Sequence, residues 1–574
     1  MRFGIFYEHQ MPRPWEPDAE QRTLANALEQ IELADRIGID HVWEVEHHFL
    51  EEYSHSSAPE VFLAAASQRT NRIRLGHGIV QLPLGFNHPA RVAERIATLD
   101  LVSGGRVEFG TGESSSQMEL GGYGVPREEK RDQWDEALDA VTRMFVEQPF
   151  AGYDGKFLKM PPRNVVPKPL QKPHPPLWVA CSRRETILLA ARKGIGALSF
   201  SFVEPEDAKE WVDAYYTTLQ SEECVPAGFA VNPNIAVVVP FMCHQDEATA
   251  IERGIDGAHF FGYSLAHYYV FGRHVPGRTN VRDEFEAHRS EFGFAREIVT
   301  PDAAPLGVKL LQAGLGSLRG AVGTPRQISE LIERYERAGV DQIIFVGQAG
   351  RNQHEHICES LELFGKEVLP RFAEEADRKD EERKDRLSGA CEQALLRRRP
   401  AREADPTYTV TADGEPRPAP RLGYASGGGR PEGLRERLRR RGQESFAAFL
   451  KGKSDEQLDR IVGSPFTLRM VFKGMERQFQ PQHAAGFSGS IQYELTGRRQ
   501  RHAWAIDVRD GQAHAHPGRS PQPAVTLRMG VPTFARILSE EIDAGRAWFT
   551  GEIVVDGDLT VAARLGDMFG RSHY

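Results

Sequence analysis

Short runs of β-branched and aromatic residues alternate, along the larger N-terminal part of the chain, with longer stretches whose apolar positions recur at helical spacing. This alternation predicts βα units and a parallel sheet, because parallel strands need a crossover between them. Eight runs carry the strand pattern: Arg2–Tyr7, His41–Glu46, Arg72–Ile79, Arg106–Gly112, Pro176–Cys181, Gly196–Ser201, Asn234–Cys243 and Asp341–Gly347. Leu24, Leu28, Ile31, Ala34 and Ile37 share one helical face between the first two runs, and Ala90–Leu101 and Arg131–Phe145 fill later gaps in the same way. Eight strands with interleaved helices predict a (β/α)8 TIM barrel, which at about 370 residues must carry insertions. One insertion falls between the seventh and eighth runs. It reads Phe260-Phe261-Gly262-Tyr263, then His267-Tyr268-Tyr269 to Phe271, followed by a Gly/Pro/Arg segment around Pro276–Thr279. Such a stretch is either a lid, with Phe260, Phe261 and Tyr268 facing a substrate, or an extra packed helix.

The pattern breaks after Phe372, where a charged stretch poor in aromatic residues begins. Its Arg, Pro and Gly segments cannot bury enough apolar surface to fold alone, so residues 373–443 are expected to be a linker, with room for short charged helices within it. From about Glu444 the chain becomes foldable again. Ala447–Leu450 begins a helix, and Phe466–Phe472, Ser488–Leu495, Ala503–Val508 and Ala524–Met529 alternate like antiparallel strands. Three segments follow: a barrel at 1–372, a linker at 373–443 and a small α+β unit at 444–574.

Among the 574 residues, 40% are hydrophobic and 26% charged, which excludes disorder, collagen or coiled coil for the whole chain. A formal net charge of −10 offers no global positive field to nucleic acid or an anionic membrane. The five cysteines form no C-x-x-C pair, as expected in a reducing compartment. The N-terminus turns polar at Glu8, too early for a signal peptide, and no run of about 18 apolar residues appears. The expected location is cytoplasmic.

Reacting groups in a TIM barrel stand at the C-terminal ends of the strands. The first run ends at Glu8-His9, the second at Glu46-His47-His48-Phe49, the third at His77-Gly78-Ile79, the fourth at Gly110-Thr111-Gly112-Glu113 and the fifth at Cys181-Ser182-Arg183. His47 and His48 invite a metal reading, but successive strand residues point to opposite faces, so one ion takes both only if the backbone turns between them. An imidazole at a barrel mouth suits proton transfer or stabilisation of a developing oxyanion. A structural histidine bonded to a carbonyl is the other reading. Gly110-x-Gly112 is half of a G-x-G-x-x-G fingerprint, with Ser115 in place of the third glycine, and offers bare backbone to a flat ring or phosphate. Ser182 to Thr186 opens the helical run Ile187–Arg192, where free N–H groups and hydroxyls either hold a phosphate or simply cap the helix. No G-x-S-x-G elbow supports a serine hydrolase.

Taken together, Met1-Arg-Phe-Gly-Ile-Phe6, Gly38-Ile-Asp-His-Val-Trp-Glu-Val-Glu-His-His-Phe49, Leu75-Gly-His-Gly-Ile-Val-Gln-Leu-Pro83, His88-Pro-Ala-Arg91, Ser103-Gly-Gly-Arg-Val-Glu-Phe-Gly110, Gly323-Thr-Pro325 and Ala338-Gly-Val-Asp-Gln342 resemble the bacterial luciferase-like flavin monooxygenases. The resemblance spans residues 1 to about 372. It implies a barrel that binds reduced FMN from a separate flavin reductase, reacts it with O2 to a C4a-hydroperoxide and oxygenates a hydrophobic carbonyl compound such as a long-chain aldehyde or ketone. A homodimer is expected by the same analogy. His47 looks like the family's catalytic histidine, and Gly78-Ile79 like its strained, often cis, peptide against the isoalloxazine. Ser182, Arg183 and Thr186 match the phosphate-binding turn, and Phe200 an aromatic residue near the ring. Gly112, a further cofactor-side candidate, stands where some luciferases have a reactive cysteine. Glu113 occupies the place of a phosphate-binding arginine, and a carboxylate there would repel the phosphate. Arg183 or Arg184 substitutes, Glu113 faces elsewhere, or the cofactor sits differently. Two other functions stay open: a deazaflavin (F420)-dependent hydride-transferring dehydrogenase, and a non-catalytic flavin- or lipid-binding protein.

The end of the chain, Pro532-Thr-Phe-Ala-Arg-Ile-Leu538 and then Gly551-Glu-Ile-Val-Val-Asp-Gly-Asp558, resembles the sterol carrier protein 2 (SCP2) family. That resemblance implies a five-stranded sheet with helices around a lipid-sized tunnel. Phe466, Leu468, Phe534, Leu538 and Phe549 are then the candidates to line it, although alternating core residues have the same pattern.

Overall fold

The computed structural model describes residues 1–182, 184–199, 205–288, 319–410 and 449–569, the last span apart from 482–483, 485–486, 499, 540, 543, 550, 559–560, 563–564 and 566–567. The chain divides into a larger unit lying within residues 1–425 and a smaller one carried by 426–574.

In the larger unit β1 (Arg2–Tyr7), β2 (His41–Glu44), β3 (Arg74–His77), β4 (Val107–Gly112), β5 (Leu177–Cys181), β6 (Gly196–Ser199), β7 (Ile235–Cys243) and β8 (Gln342–Val346) pair in parallel in that order. Pairing of Arg2–Ile5 with Gln342–Phe345 returns β8 to β1 and closes the barrel. Each strand coincides with a predicted run, trimmed by a few residues where the chain peels off the sheet, as at Glu44 and His77. Trp43 on β2 and Trp178 on β5 meet edge to face with centroids 5.2 Å apart, and these fully or nearly buried indoles fill the interior. Residue 76 on β3 has to be glycine there, because a Cβ would stand 2.3 Å from the Trp43 ring. The outward faces of the strands pack Ile5, Val42, Leu75 and Phe109 against the helical layer.

The linker expected from residue 373 starts later. Residues Leu369–Arg397 form one helix whose Phe372, Ala376, Leu387 and Ala394 are buried against the barrel. Its charged face is paired: Arg2 binds Asp40 at 2.9 Å and Asp380 at 2.8 Å, and Arg383 binds both Asp341 and Asp380. Arg397 donates to the Cys224 carbonyl at 2.8 Å, and the Arg402 amide to Glu147 at 3.0 Å. Averaged composition hid a helical stripe whose apolar positions recur at near-helical spacing. The rest of the expected linker, 411–443, lies outside the described residues.

In the smaller unit β9 (Gly489–Thr496), β10 (Arg501–Arg509), β11 (Gln512–Pro517), β12 (Val525–Gly530) and β13 (Ile553–Gly557) form a five-stranded sheet in the order β11-β10-β9-β12-β13. Two sequence expectations need correction. Residues Phe466–Phe472 are not a strand but part of the helix Pro465–Gln478, whose N-cap Ser464 accepts from the Thr467 amide at 3.1 Å. Proline at N1 after a serine favours that start, and Leu468, Phe472 and Met475 then share one buried face. In addition β9 and β12 run parallel, so the sheet is mixed. The strands β11 and β13 were missed because both are edge strands with mostly polar or exposed residues.

Phe472 stacks on Trp504 at 4.8 Å and on Phe534 at 5.7 Å, nearly parallel to both. Replacing Phe472 with Ala should cost about 3–5 kcal/mol, read as lost amide-exchange protection across β9 and β10. Unchanged protection would mean that the stack does not hold this unit. Among the described residues of the whole chain, no helix is long and apolar enough to cross a membrane.

Candidate functional site

Beyond β2 the chain turns through Val45 and Glu46 to His47, whose amide donates to the Ser56 carbonyl at 2.8 Å. The two histidines then diverge. His48 Nε2 lies 3.3 Å from Glu46 Oε1, and its ring packs on Tyr123. His47 Nδ1 lies 2.9 Å from Glu119 Oε1. Glu119, on the short helix Gln117–Gly122, is fully buried and saturated with donors: its Oε1 also accepts from the His48 amide at 3.0 Å, and its Oε2 from the Ser114 hydroxyl at 2.8 Å. On the other side of the imidazole, Nε2 stands 3.7 Å from Glu8 Oε2. Glu8 Oε1 accepts from the Tyr53 hydroxyl at 2.8 Å. The Tyr269 hydroxyl lies 3.4 Å from both ring nitrogens of His47.

These contacts decide the charges. Burial alone would push the His47 imidazole down, but Glu119 and then Glu8 outweigh it and raise it to about 9. Burial pushes Glu8 up to about 7 against the pull of His47 and Tyr53. Burial also acts on Glu119, yet His47 and the Ser114 hydroxyl hold it below the usual carboxylate range. The result is an imidazolium between two buried carboxylates, only one of which is firmly ionised.

Next to it, the Gly78 amide donates to the Glu44 carbonyl at 2.7 Å, and the Glu46 amide donates to the Ile79 carbonyl at 3.1 Å. The expected cis bond at Gly78-Ile79 is absent: among the described residues every cis bond precedes a proline. A cis bond elsewhere costs about 2.5–4 kcal/mol, and here both flanking groups are satisfied in trans. Gly112 does not present bare backbone either, because Ile79 lies on it, and a Cβ at 112 would stand 2.4 Å from the Ile79 side chain.

Residues 1–342 match the family of luciferase-like monooxygenases. The chain belongs to that family. Residues 472–570 match the SCP-2 sterol transfer family, so the two folds are fused in one chain. The oxygenase component of flavin-dependent trigonelline monooxygenase from Acinetobacter baylyi is 24% identical over 379 residues, 65% of this chain and 96% of that one. Limonene 1,2-monooxygenase from Rhodococcus erythropolis is 39% identical over 144 residues, 25% of this chain and 35% of that one. Among solved structures, the monooxygenase RslO1 from Streptomyces bottropensis aligns with a TM-score of 0.51 at 25% identity, covering 65% of this chain and all of that one.

In this luciferase-like barrel Glu113, the residue out of keeping with the resemblance, is neutralised. Arg131 grips it through Nε at 2.5 Å and Nη2 at 2.9 Å, and Lys130 Nζ approaches at 3.1 Å. Lys130 also donates to the Ser114 carbonyl. The register that sets Thr111 beside Val179 brings the end of β4 next to that of β5, where Ser182 is exposed and Thr186 partly so at the start of the helix Arg184–Arg192. No bare carboxylate is therefore left at this end, and the hydroxyls of Ser182 and Thr186 suit the phosphate of a flavin-type cofactor. Arg183 and Phe200 lie outside the described residues.

Phe260 and Phe261 are buried in the helix Glu247–Ala266, Phe260 against Phe285 and Phe261 against Tyr53, so the packed-helix alternative describes them. Tyr268 is buried too, its hydroxyl accepting from the Glu52 amide at 3.1 Å. Tyr269, one residue on, is the member of this stretch that reaches His47 among the described side chains. Sequence reasoning also missed Glu119 and the Lys130-Arg131 pair, neither of which sits at a strand end. Of the tunnel candidates in the smaller unit, Leu468 and Phe534 are buried and Leu538 packs on the same core, whereas Phe466 is 78% exposed and lines nothing. The Phe549 side chain lies outside the description.

Proposed function

We propose that this chain is the oxygenase component of a two-component, cytoplasmic monooxygenase. It takes reduced FMN from a separate reductase and uses O2 to oxygenate a hydrophobic carbonyl compound, such as a long-chain aldehyde or ketone. The observation that carries the proposal is His47, held as a cation between Glu8 and Glu119 at the C-terminal mouth of a luciferase-like barrel. Bound reduced flavin supplies the electrons that activate dioxygen. The chain's own residues hold His47 protonated and oriented towards a developing negative oxygen, and pack Tyr53 and Tyr269 against it, with Phe261 behind Tyr53, which limits the access of water. An apolar substrate is in keeping with the relative named for limonene, and the SCP2-like unit would hold a hydrophobic ligand. A homodimer completes the reading by analogy.

The test is to bind reduced FMN anaerobically, then admit 18O2 with a panel of long-chain aldehydes and ketones. One labelled oxygen in the product supports the proposal. If reduced FMN does not bind while reduced F420 does, the chain is a hydride-transferring dehydrogenase instead. A second measurement addresses the phosphate end. Arg131→Ala uncovers Glu113 and should weaken FMN binding about 10- to 100-fold, the value of a lost charge-assisted bond, while riboflavin, which lacks the phosphate, binds as before. Equal losses for both ligands would place Arg131 outside the phosphate subsite.

A further inference from the structure

Glu8 is 2% exposed, and its two oxygens are treated differently. Oε1 has the Tyr53 hydroxyl, whereas Oε2 has no hydrogen-bond partner. The nearest cation, His47 Nε2, is 3.7 Å away, beyond direct hydrogen bonding. A buried carboxylate oxygen without a donor is costly. An oxygen atom about 2.8 Å from both Oε2 and Nε2 matches that separation; Oε2 is fully covered, so such an atom enters as the neighbouring side chains, the Tyr269 hydroxyl among them, give way. Such an atom has to donate to Glu8 and accept from His47, so it belongs to an O–H group. Glu119 cannot play this part, since donors occupy both of its oxygens.

We propose that Glu8 accepts and returns the proton in this site through Oε2, with Glu119 as the positioning residue that keeps a charged His47 beside it. The inference rests on the monooxygenase reading above. In the step, the ligand's O–H bond breaks, its electron pair stays on the ligand oxygen facing the imidazolium, and the proton forms a new O–H bond at Oε2. No electron is transferred. The reverse step restores the carboxylate. Burial raises the Glu8 carboxyl, His47, Tyr53 and the Ser54 hydroxyl oppose it, Glu44 adds to it and Tyr269 faces it from the other element, so the group changes protonation near neutrality, where His47 remains charged.

The first test needs neither flavin nor substrate. Infrared titration of the full-length protein should show a protonated-carboxyl stretch appearing as pH falls through about 7, absent in Glu8→Gln. In Tyr53→Phe the midpoint should move upward, because the carboxylate loses a donor. In Glu119→Gln the His47 midpoint, followed by NMR, should fall by at least about one pH unit. With reduced FMN and dodecanal as probe, the rate should rise through neutrality in the wild type. In Glu8→Gln that limb should disappear and the rate fall about 10²-fold. No carboxyl titrating near neutrality, or an unchanged limb in Glu8→Gln, overturns the inference. Failure of reduced FMN to bind would instead remove the monooxygenase reading and leave the infrared result standing.

Discussion

His47→Gln lowers the rate of oxygenation with reduced FMN by about 10²–10⁴-fold while the circular dichroism spectrum stays that of the wild type. Glutamine has nearly the same reach as the imidazole Nε2, and the bond from the residue-47 main-chain amide to the Ser56 carbonyl is independent of the side chain, so the loop keeps its anchor. What it cannot supply is the positive charge facing Glu8. Deprived of that charge, Glu119 loses the neighbour that does most to hold it ionised, and its carboxyl shifts upward. The same substitution changes the stability profile. The His47 imidazole is raised from 6.5 to about 9, so its contribution is complete below about 6.5 and lost as pH rises through 9. Glu8 is raised from 4.5 to about 7, so its share is present below 4.5 and lost as pH rises through 7. Both act in one direction, and the wild type should melt at progressively lower temperature from pH 6 to pH 9.5, with a shallower slope in His47→Gln. A variant within about threefold of wild-type rate would show that His47 is not the group that matters.

Gly110→Ala should be the most damaging single methyl in the barrel. A Cβ at 110 would stand 1.9 Å from the His77 carbonyl oxygen and 3.0 Å from its carbon, both backbone atoms that no rotamer change can move. Strands β3 and β4 would have to separate just where the chain leaves for the site. The expected loss is more than about 4 kcal/mol, seen as failure to accumulate as soluble protein or as a collapsed denaturation midpoint. Gly78→Ala is the control. Its Cβ would meet Phe6 at 3.5 Å and Trp43 at 3.6 Å, ordinary contact distances, so that variant should fold. Equal stability of the two would mean that the close approach of β3 and β4 is not what residue 110 serves.

These two positions differ in how much of their role could be read in advance. His47 stood out because a histidine at the end of a strand run is chemically suggestive wherever the barrel is. The Gly110-x-Gly112 pair also stood out, but for the wrong reason. It reads as a cradle for a cofactor, whereas its space is taken by the His77 carbonyl and the Ile79 side chain. The partners of His47 were less accessible. Glu119 lies 72 residues away on a six-residue helix between apolar neighbours, and nothing in its local pattern distinguishes a buried carboxylate from a solvated one. Tyr269 and Tyr268 are adjacent and chemically alike. Which of them faces the imidazole depends on the turn the backbone makes after Ala266.

The sequence by itself determined the eight barrel strands and their order, three of the five strands of the smaller sheet, and the luciferase-like and SCP2-like identities. The strands follow from periodicity and the identities from the resemblance of short motifs to known families, and both signals are local along the chain. Only the tertiary structure decided that residues 369–397 pack on the barrel, that 466–472 is helical, that Gly78-Ile79 is trans, and that Glu113 is covered by Lys130 and Arg131. It alone set the protonation of Glu8, His47 and Glu119. Burial and Coulomb interactions depend on distances through space between residues far apart in the chain, and no local pattern encodes them.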